Sequence, residues 1–557
     1  MSNLSSITFQ KIARWIQDCG ETHPNCRDHP SQPAESEMRC LPTRIVRVGS
    51  TNRNPHLHIS ETQQNDRYVA LSHCWGEIPQ IRTLKANIEQ YKEEIIVESL
   101  SKTFQDALYV TRRLGIDYIW IDSLCIVQDD QDDWLRESER MGSIYANAYI
   151  TLAATSAADG NGGLDSVRPS FNWVKFPCHG SDETQGYMWF TDASWTFKTD
   201  LDEAPLNTRG WVFQEKILSQ RIIHFASSQV YWECRQRFFG EEYDNEVGYV
   251  GGALKPSRFW AILNAISHLE TSPFEPEEVL YEVEWPNLSM AGFYEAWRSF
   301  VGYYSTRNFT KKSDRLITLL GVIQVVEKQT GLRCIDGHWK DDSCQFVLEL
   351  MWFPKEQRTL SVLDDDTRSR MCSSWSWASL EGPIEKGLYT DNIENFGGYD
   401  PEDCDLHLMA IEGEAHLPWP SHPLKVSGML KTVYRGEHGV DEFSFQHSKG
   451  RRIFSLKPQQ TQFIDGKVCF DCEDEEPMQF YFSPVYRSWT RISCLALLER
   501  HTSEIKERHF ERVGVGHIEL PHFDYSERGL IESFKAPENH VHVDFFEACE
   551  EQIFYLI

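Results

Sequence analysis

The sequence predicts an α/β fold whose core is a doubly wound parallel sheet. Two observations carry this. Between Arg67 and Ala154 short apolar runs of strand length alternate with segments of helical periodicity, and Gly, Ser and Asp sit at the joins. Strands alternating with helices connect by right-handed crossovers, so helices cover both faces of the sheet and ligands bind at the carboxyl ends of the strands. A helical middle region and a β-rich C-terminal region follow. Phe293, Trp297 and Phe300, then Leu316, Leu319, Leu320 and Ile323, recur at helical spacing, and short strands with turns dominate from about residue 405.

In chain order, Ile7 to Cys19 is a helix, followed by a loop rich in Pro, His and Cys and a strand at Arg44–Val48. Cys19, His23, Cys26 and Cys40 are ligand types that zinc takes, although their spacing is not a standard pair of pairs. The alternative is a loop whose polar side chains cap a helix end. Tyr68–Ser72 is a buried strand that ends at His73-Cys74-Trp75-Gly76. Phe104, Ala107, Leu108 and Leu114 share one face of a helix that starts at Ser101 or Lys102 and stops at Gly115. Tyr118–Asp122 is the second strand, and Ser123–Gln131 is a loop. Asp132 or Asp133 caps the next helix, which aligns Trp134, Ser138, Met141 and Tyr145. Ala148–Ala154 is the third strand and Ser156–Gly163 a Gly-rich turn. The strand ends are therefore Ser72–Gly76, Asp122–Cys125 and Thr155–Ser156. Farther on, Arg209–Leu218 is helical, Arg221–Phe225 and Gln229–Cys234 form a hairpin, and Trp375-Ser-Trp377 is strand-like. Four segments result: 1–55, 56–240, 241–410 and 411–557.

With 55 Lys and Arg against 84 Asp and Glu in 557 residues, the net charge is −29. No basic run exceeds two residues, as at Lys311-Lys312 and Arg451-Arg452, so a nucleic-acid surface is not expected. No apolar stretch of membrane-spanning length and no basic-then-apolar leader occurs, which suits a cytoplasmic chain. Fifteen scattered cysteines fit reduced, buried thiols. The glycine-rich dinucleotide fingerprint, the P-loop, the His-Glu-x-x-His helix and the Gly-x-Ser-x-Gly elbow are all missing, so dehydrogenase, NTPase, zincin and hydrolase readings lose their anchors. Cys469-Phe-Asp-Cys472 is a lone C-x-x-C. The acidic clusters at Asp129–Asp133, Asp364–Asp366 and Glu473–Glu476 fit solvated loops.

Tyr68-Val-Ala-Leu-Ser-His-Cys-Trp-Gly76, Leu114-Gly-Ile-Asp-Tyr-Ile-Trp-Ile-Asp-Ser-Leu-Cys-Ile-Val-Gln-Asp-Asp130, Asp133-Trp-Leu-Arg-Glu137 with Met141 and Ile144-Tyr145, and Arg209-Gly-Trp-Val-Phe-Gln-Glu215 resemble the successive motifs of the fungal HET (heterokaryon incompatibility) domain. Asp314-Arg-Leu, Gly337-His-Trp339 and Ser374-Trp-Ser-Trp-Ala-Ser379 also resemble stretches common in such proteins. The resemblance implies a fungal protein of non-self recognition and programmed cell death, with a TIR-like, flavodoxin-like core. Several TIR domains cleave NAD+ at the nicotinamide–ribose bond, with a catalytic glutamate on a helix shortly after a Trp. Trp134 and Glu137 are similarly arranged, at a spacing of three residues where four is commoner. It also implies homo-oligomers, and a partner in the incompatibility pathway.

The residues themselves give Glu137 a place beside the apolar face of its helix, where a carboxylate stabilises an oxocarbenium-like transition state or pairs with Arg140, Arg112 or Arg113. His73 contacts a ligand or bonds to backbone. Trp75 stacks on a base or fills core. Asp122, with Ser123 behind it, binds ribose or caps the loop, and Cys125 is a nucleophile or a buried thiol. Arg209 and Glu215 position the site or form a plain ion pair. Ser72, Cys74 and Gly76 complete the cofactor rim. Three functions stay open: an NAD+ glycohydrolase, a non-catalytic module that binds a nucleotide or self-associates, and an N-glycosyl hydrolase or transferase on another nucleotide.

Overall fold

The computed structural model describes residues 2–23, 26, 39–50, 53–61, 63–76, 81–166, 168, 174–179, 185–190, 198–241, 290–312, 314–340, 345–354, 372–385, 404–411, 423–434, 443–448, 451–456, 464–470, 479–487, 491–500, 508–519 and 549–557. Cys472, Asp364–Asp366, Glu473–Glu476 and, of the expected helical middle region, residues 242–289 lie outside them. Two compact units emerge: residues 1–272 with 307–310 and 317–329, and residues 273–306, 311–316 and 330–557. Among the described residues no helix is long and apolar enough to cross a membrane.

The first unit opens with α1 (Ser6–Thr22), capped by the Ser5 hydroxyl, which accepts the Thr8 N–H. Its apolar face buries Phe9, Ile12 and Cys19. Then come β1 (Arg39–Cys40), β2 (Arg44–Arg47), β3 (His56–Ile59), β4 (Asn65–Asp66), β5 (Tyr68–Ser72), α2 (Ile88–Glu93), α3 (Lys102–Arg113), β6 (Tyr118–Trp120), α4 (Asp122–Cys125), α5 (Gln131–Asn147), β7 (Ile150–Ala153), β8 (Val174–His179) and β9 (Gln185–Phe190). The unit's later elements are α6 (Gly210–Leu218), β10 (Arg221–Phe225), β11 (Val230–Cys234) and β12 (Phe238–Gly240).

Eight strands form one sheet in the order β12-β11-β10-β7-β5-β6-β2-β3. Its central strands β10, β7, β5 and β6 are parallel, and in the chain they come fourth, third, first and second of these four. Every residue of these four strands is buried, as the even apolar content of the runs requires of a sheet covered on both faces. Right-handed crossovers put α3 on one face and α5 and α6 on the other. Gly142 of α5 meets the helix Leu320–Thr330 so closely that a Cβ there would stand 2.6 Å from the Gly321 Cα.

The wholly parallel sheet needs correction at both flanks. β2 runs antiparallel to β6 and to β3, and β11 antiparallel to β10 and β12. Four residues separate β10 from β11, too few for a parallel crossover. Two smaller corrections concern caps and loops. The loop after β6 begins with the single turn α4, and Asp130 rather than Asp132 or Asp133 caps α5, its carboxylate accepting the Asp133 N–H at 3.4 Å. α3 ends where expected, on Gly115 at φ +71°.

The second unit carries the helix Met290–Tyr304 and a ten-stranded, mainly antiparallel sheet from strands between His407 and Leu556. Trp375-Ser-Trp377 is a turn leading into a 3₁₀ segment, Trp377–Ser379, and not a strand. Hydrogen bonding explains the difference. The Ser376 hydroxyl donates to the Asp336 carbonyl at 2.6 Å, and Trp297 and Trp377 both donate to the Gly337 carbonyl, at 3.2 and 3.1 Å. Gly337 has φ +87°, and a Cβ would stand 2.7 Å from the Trp377 indole nitrogen, so this turn accepts only glycine.

Candidate functional site

β5 delivers Ser72 and His73 to the carboxyl end of the sheet, where both are buried. His73 Nε2 lies 3.7 Å from Asp122 Oδ1, just past the end of β6. The other Asp122 oxygen accepts the Trp75 indole N–H at 2.8 Å, while Oδ1 also caps the Ser123 amide at 2.7 Å. Trp75 and Asp122 keep partial exposure and form the rim. From α6 and its start, the Arg209 guanidinium donates to the His73 carbonyl, and Glu215 points a buried carboxyl at the same place. Tyr145, from α5, fixes the geometry behind them by donating to the Leu71 carbonyl at 3.0 Å.

The electrostatics are those of a nearly dry site. Burial raises the Glu215 carboxyl to about 7, although the Ser72 hydroxyl, Arg209 and Tyr145 oppose the rise. Burial lowers His73 and so holds it neutral, against the pull of Asp122. Four buried polar atoms here make no hydrogen bond of ordinary geometry among the described residues: Ser72 Oγ, His73 Nε2, Ser123 Oγ and Glu215 Oε2. Unsatisfied groups of this kind cost stability, and here they converge on one end of the sheet. Such an arrangement can bind polar hydroxyls and stabilise a developing positive charge.

The remaining expected residues are placed as follows. Gly76, at φ +65°, packs against Asp159, and a Cβ would come within 2.4 Å of that side chain. The Cys74 thiol is buried, and burial raises it. The Cys125 thiol, pushed up to about 12 by burial, faces the Ile121 N–H at 3.5 Å. It is therefore a thiol and not a thiolate at neutral pH. Trp134 meets Trp211 edge to face, with 6.4 Å between ring centroids. Glu137 is buried with its Oε1 3.8 Å from Arg140. It lines a cavity of about 490 Å³ with Leu41, Pro42, Tyr68 and Asn147. Tyr68 begins β5 and Ser72 ends it, so the structure does not bring Glu137 together with the strand-end cluster.

Sequence reasoning missed Tyr145 as a site residue and missed a second buried group. His224 Nε2 and Glu233 Oε2 lie 2.8 Å apart, with Lys216 3.4 Å from the same oxygen and Thr155 3.4 Å from His224 Nδ1. The available signal was a pair of ionisable residues inside otherwise apolar strand runs, at diagonal positions of a hairpin.

Cys19, His23 and Cys26 do come together, but Cys40 is not with them. It sits on the short strand β1, exposed, with its Sγ toward the Leu41 carbonyl. Cys234, the last residue of β11, takes the fourth place, and the four ligand atoms all lie within 4.8 Å of one another.

Residues 68–215 match the family model described as heterokaryon incompatibility protein (HET). This chain carries a HET domain. Neither a curated protein nor a solved structure matches the chain. The HET match opens on the first residue of β5 and closes on Glu215 itself, so Ser72, His73, Trp75, Asp122, Arg209 and Glu215 all fall inside it. The Cys/His cluster lies entirely outside.

Proposed function

We propose that this HET domain acts in heterokaryon incompatibility by hydrolysing NAD+ at the nicotinamide–ribose bond, at the carboxyl ends of β5, β6 and β7. The observation that carries the reading is Glu215, a buried carboxyl with a free oxygen, held near neutral pH at the point where the strand order reverses between β5 and β7. Ligands of open α/β sheets bind at such switch points. The order of the four parallel strands also supports the TIR-like core.

In this mechanism the ribose hydroxyls bond to Glu215 and Ser72, and Trp75 stacks on a ring at the rim. The bond from ribose C1′ to nicotinamide breaks with its electron pair leaving on the ring nitrogen, which becomes neutral. The ionised Glu215 stabilises the positive ribosyl centre. Water adds to C1′, its proton passes to Glu215 and then to solvent, and nicotinamide and ADP-ribose leave. Glu137, which the resemblance favours, stands as the competing carboxylate. Its Arg140 partner and its distance along the strand from Ser72 argue for Glu215.

The same Glu137–Arg140 pair, with the small exposure of the strand-end cluster, supports a second reading: a module that binds a nucleotide or a partner, self-associates and leaves the killing to other proteins. Purified full-length protein incubated with NAD+ and separately with other nucleotides decides between them. Glu215→Gln and Glu137→Gln are compared at equal folding and assembly. Nicotinamide release is expected to fall by about 10²–10⁴-fold in Glu215→Gln and to persist in Glu137→Gln. Loss only in Glu137→Gln moves the chemistry to that carboxylate. Turnover of a different nucleotide changes the substrate, and none in any assembly state leaves the binding module.

A further inference from the structure

We propose that Cys19, His23, Cys26 and Cys234 form a structural zinc site of three thiolates and one imidazole that fastens α1 to the end of β11 in the eight-stranded sheet. Local structure assembles three of the ligands. Cys19 lies in the last turn of α1 and His23 is its C-cap, whose amide donates to the Cys19 carbonyl at 3.3 Å. The Cys26 amide then donates to the His23 carbonyl at 3.1 Å, so the chain turns back on itself and aims all three side chains at the end of β11.

The distances suit one tetrahedral ion. The four ligand atoms are mutually within 4.8 Å, and His23 Nδ1 lies 3.4 Å from Cys234 Sγ. Zinc–sulfur bonds of 2.3 Å and zinc–nitrogen bonds of about 2.0–2.1 Å place neighbouring sulfur and nitrogen ligands about 3.6 Å apart. All four residues are buried, and four protein ligands with no open position make a structural rather than a catalytic site.

The surroundings point the same way. Arg221 Nε donates to Cys19 Sγ at 3.4 Å, and the Arg237 backbone N–H donates to Cys234 Sγ at 3.2 Å. N–H donors of this kind orient metal-bound sulfur. A divalent ion with three thiolates carries one net negative charge, and the buried Arg221 guanidinium stands beside it to balance it. Binding displaces three thiol protons to solvent and forms four metal–ligand bonds, with no change of oxidation state. A disulfide would use two of the three thiols and strand the third beside the imidazole.

Metal content and the spectrum of the cobalt(II)-substituted full chain test this. One zinc per chain is expected, with tetrahedral ligand-field bands and sulfur-to-cobalt charge-transfer absorption of three-thiolate intensity after substitution. Cys234→Ser should lose most of the metal, Cys40→Ser should keep it, and His23→Cys, which preserves four ligands, should keep it too. A wild-type chain that holds no zinc and takes up no cobalt overturns the site, as does full metal retention in Cys234→Ser or loss in Cys40→Ser. If Cys234→Ser does not fold, the wild-type cobalt spectrum decides: a two-thiolate or octahedral signature rejects the assignment.

Discussion

Glu215 is held against its own solvation, and that has a measurable consequence for stability. An unfolded glutamate loses its proton near 4.5, whereas the folded Glu215 keeps it to about 7. Between these values the native state binds more protons than the unfolded one, so stability falls as pH rises from 4.5 and levels off above about 7. The shift corresponds to about 3 kcal/mol across that window. Glu215→Gln should flatten this slope in denaturant titrations at stepped pH. An unchanged slope would show that Glu215 is ionised in the folded chain. At this scale the sequence was legible in part. The motif residues Ser72, His73, Asp122 and Arg209 assemble because each sits at a strand end or helix start, which periodicity locates, and Glu215 reaches them from the second turn of α6. Which carboxylate the fold holds protonated toward neutral pH was not legible, because that depends on burial and on the neighbours that Ser72, Arg209 and Tyr145 supply across the fold.

Among the elements, α5 shows how packing is tuned by a missing side chain. Gly142 lies in mid-helix, where glycine is unfavourable by about 1 kcal/mol relative to alanine. Its gain is the close approach to Gly321, whose amide donates to the Gln214 side chain at 2.7 Å. Gly142→Ala should therefore lower stability in chemical denaturation, by about 1–3 kcal/mol from overpacking, despite alanine's better helix propensity. A stabilised variant would mean the two helices part easily. The strands β5, β6 and β7 were legible because each is a bounded apolar run, and α3 and α5 because their apolar faces repeat every three or four residues. The Asp130 cap, the turn α4 and the 3₁₀ segment at Trp377 were not. Each is decided by a specific hydrogen bond, which periodicity does not encode.

For the whole molecule, the alternation of strands and helices made the parallel centre of the sheet readable, while its antiparallel flanks depend on connection lengths and on strands from outside the alternating block. The HET match stops at Glu215, yet β10 extends the sheet beyond it. Asn308 exchanges backbone hydrogen bonds with Thr208 and Gly210, at 2.7 and 3.0 Å. A fragment of residues 68–215 should accordingly lack cooperative thermal unfolding, whereas residues 1–329 should retain it. A cooperative transition in the shorter piece would show that the match boundaries enclose a complete core. The contact between His23 and Cys234 joins positions 211 residues apart, and that fixes an order of events at the ribosome. At about 5–20 residues per second the partner emerges roughly 10–40 s after the first helix. α1 is thus secured only after the strands of the sheet centre have emerged, and for that interval Cys19 and Cys26 wait for the strand that will receive them.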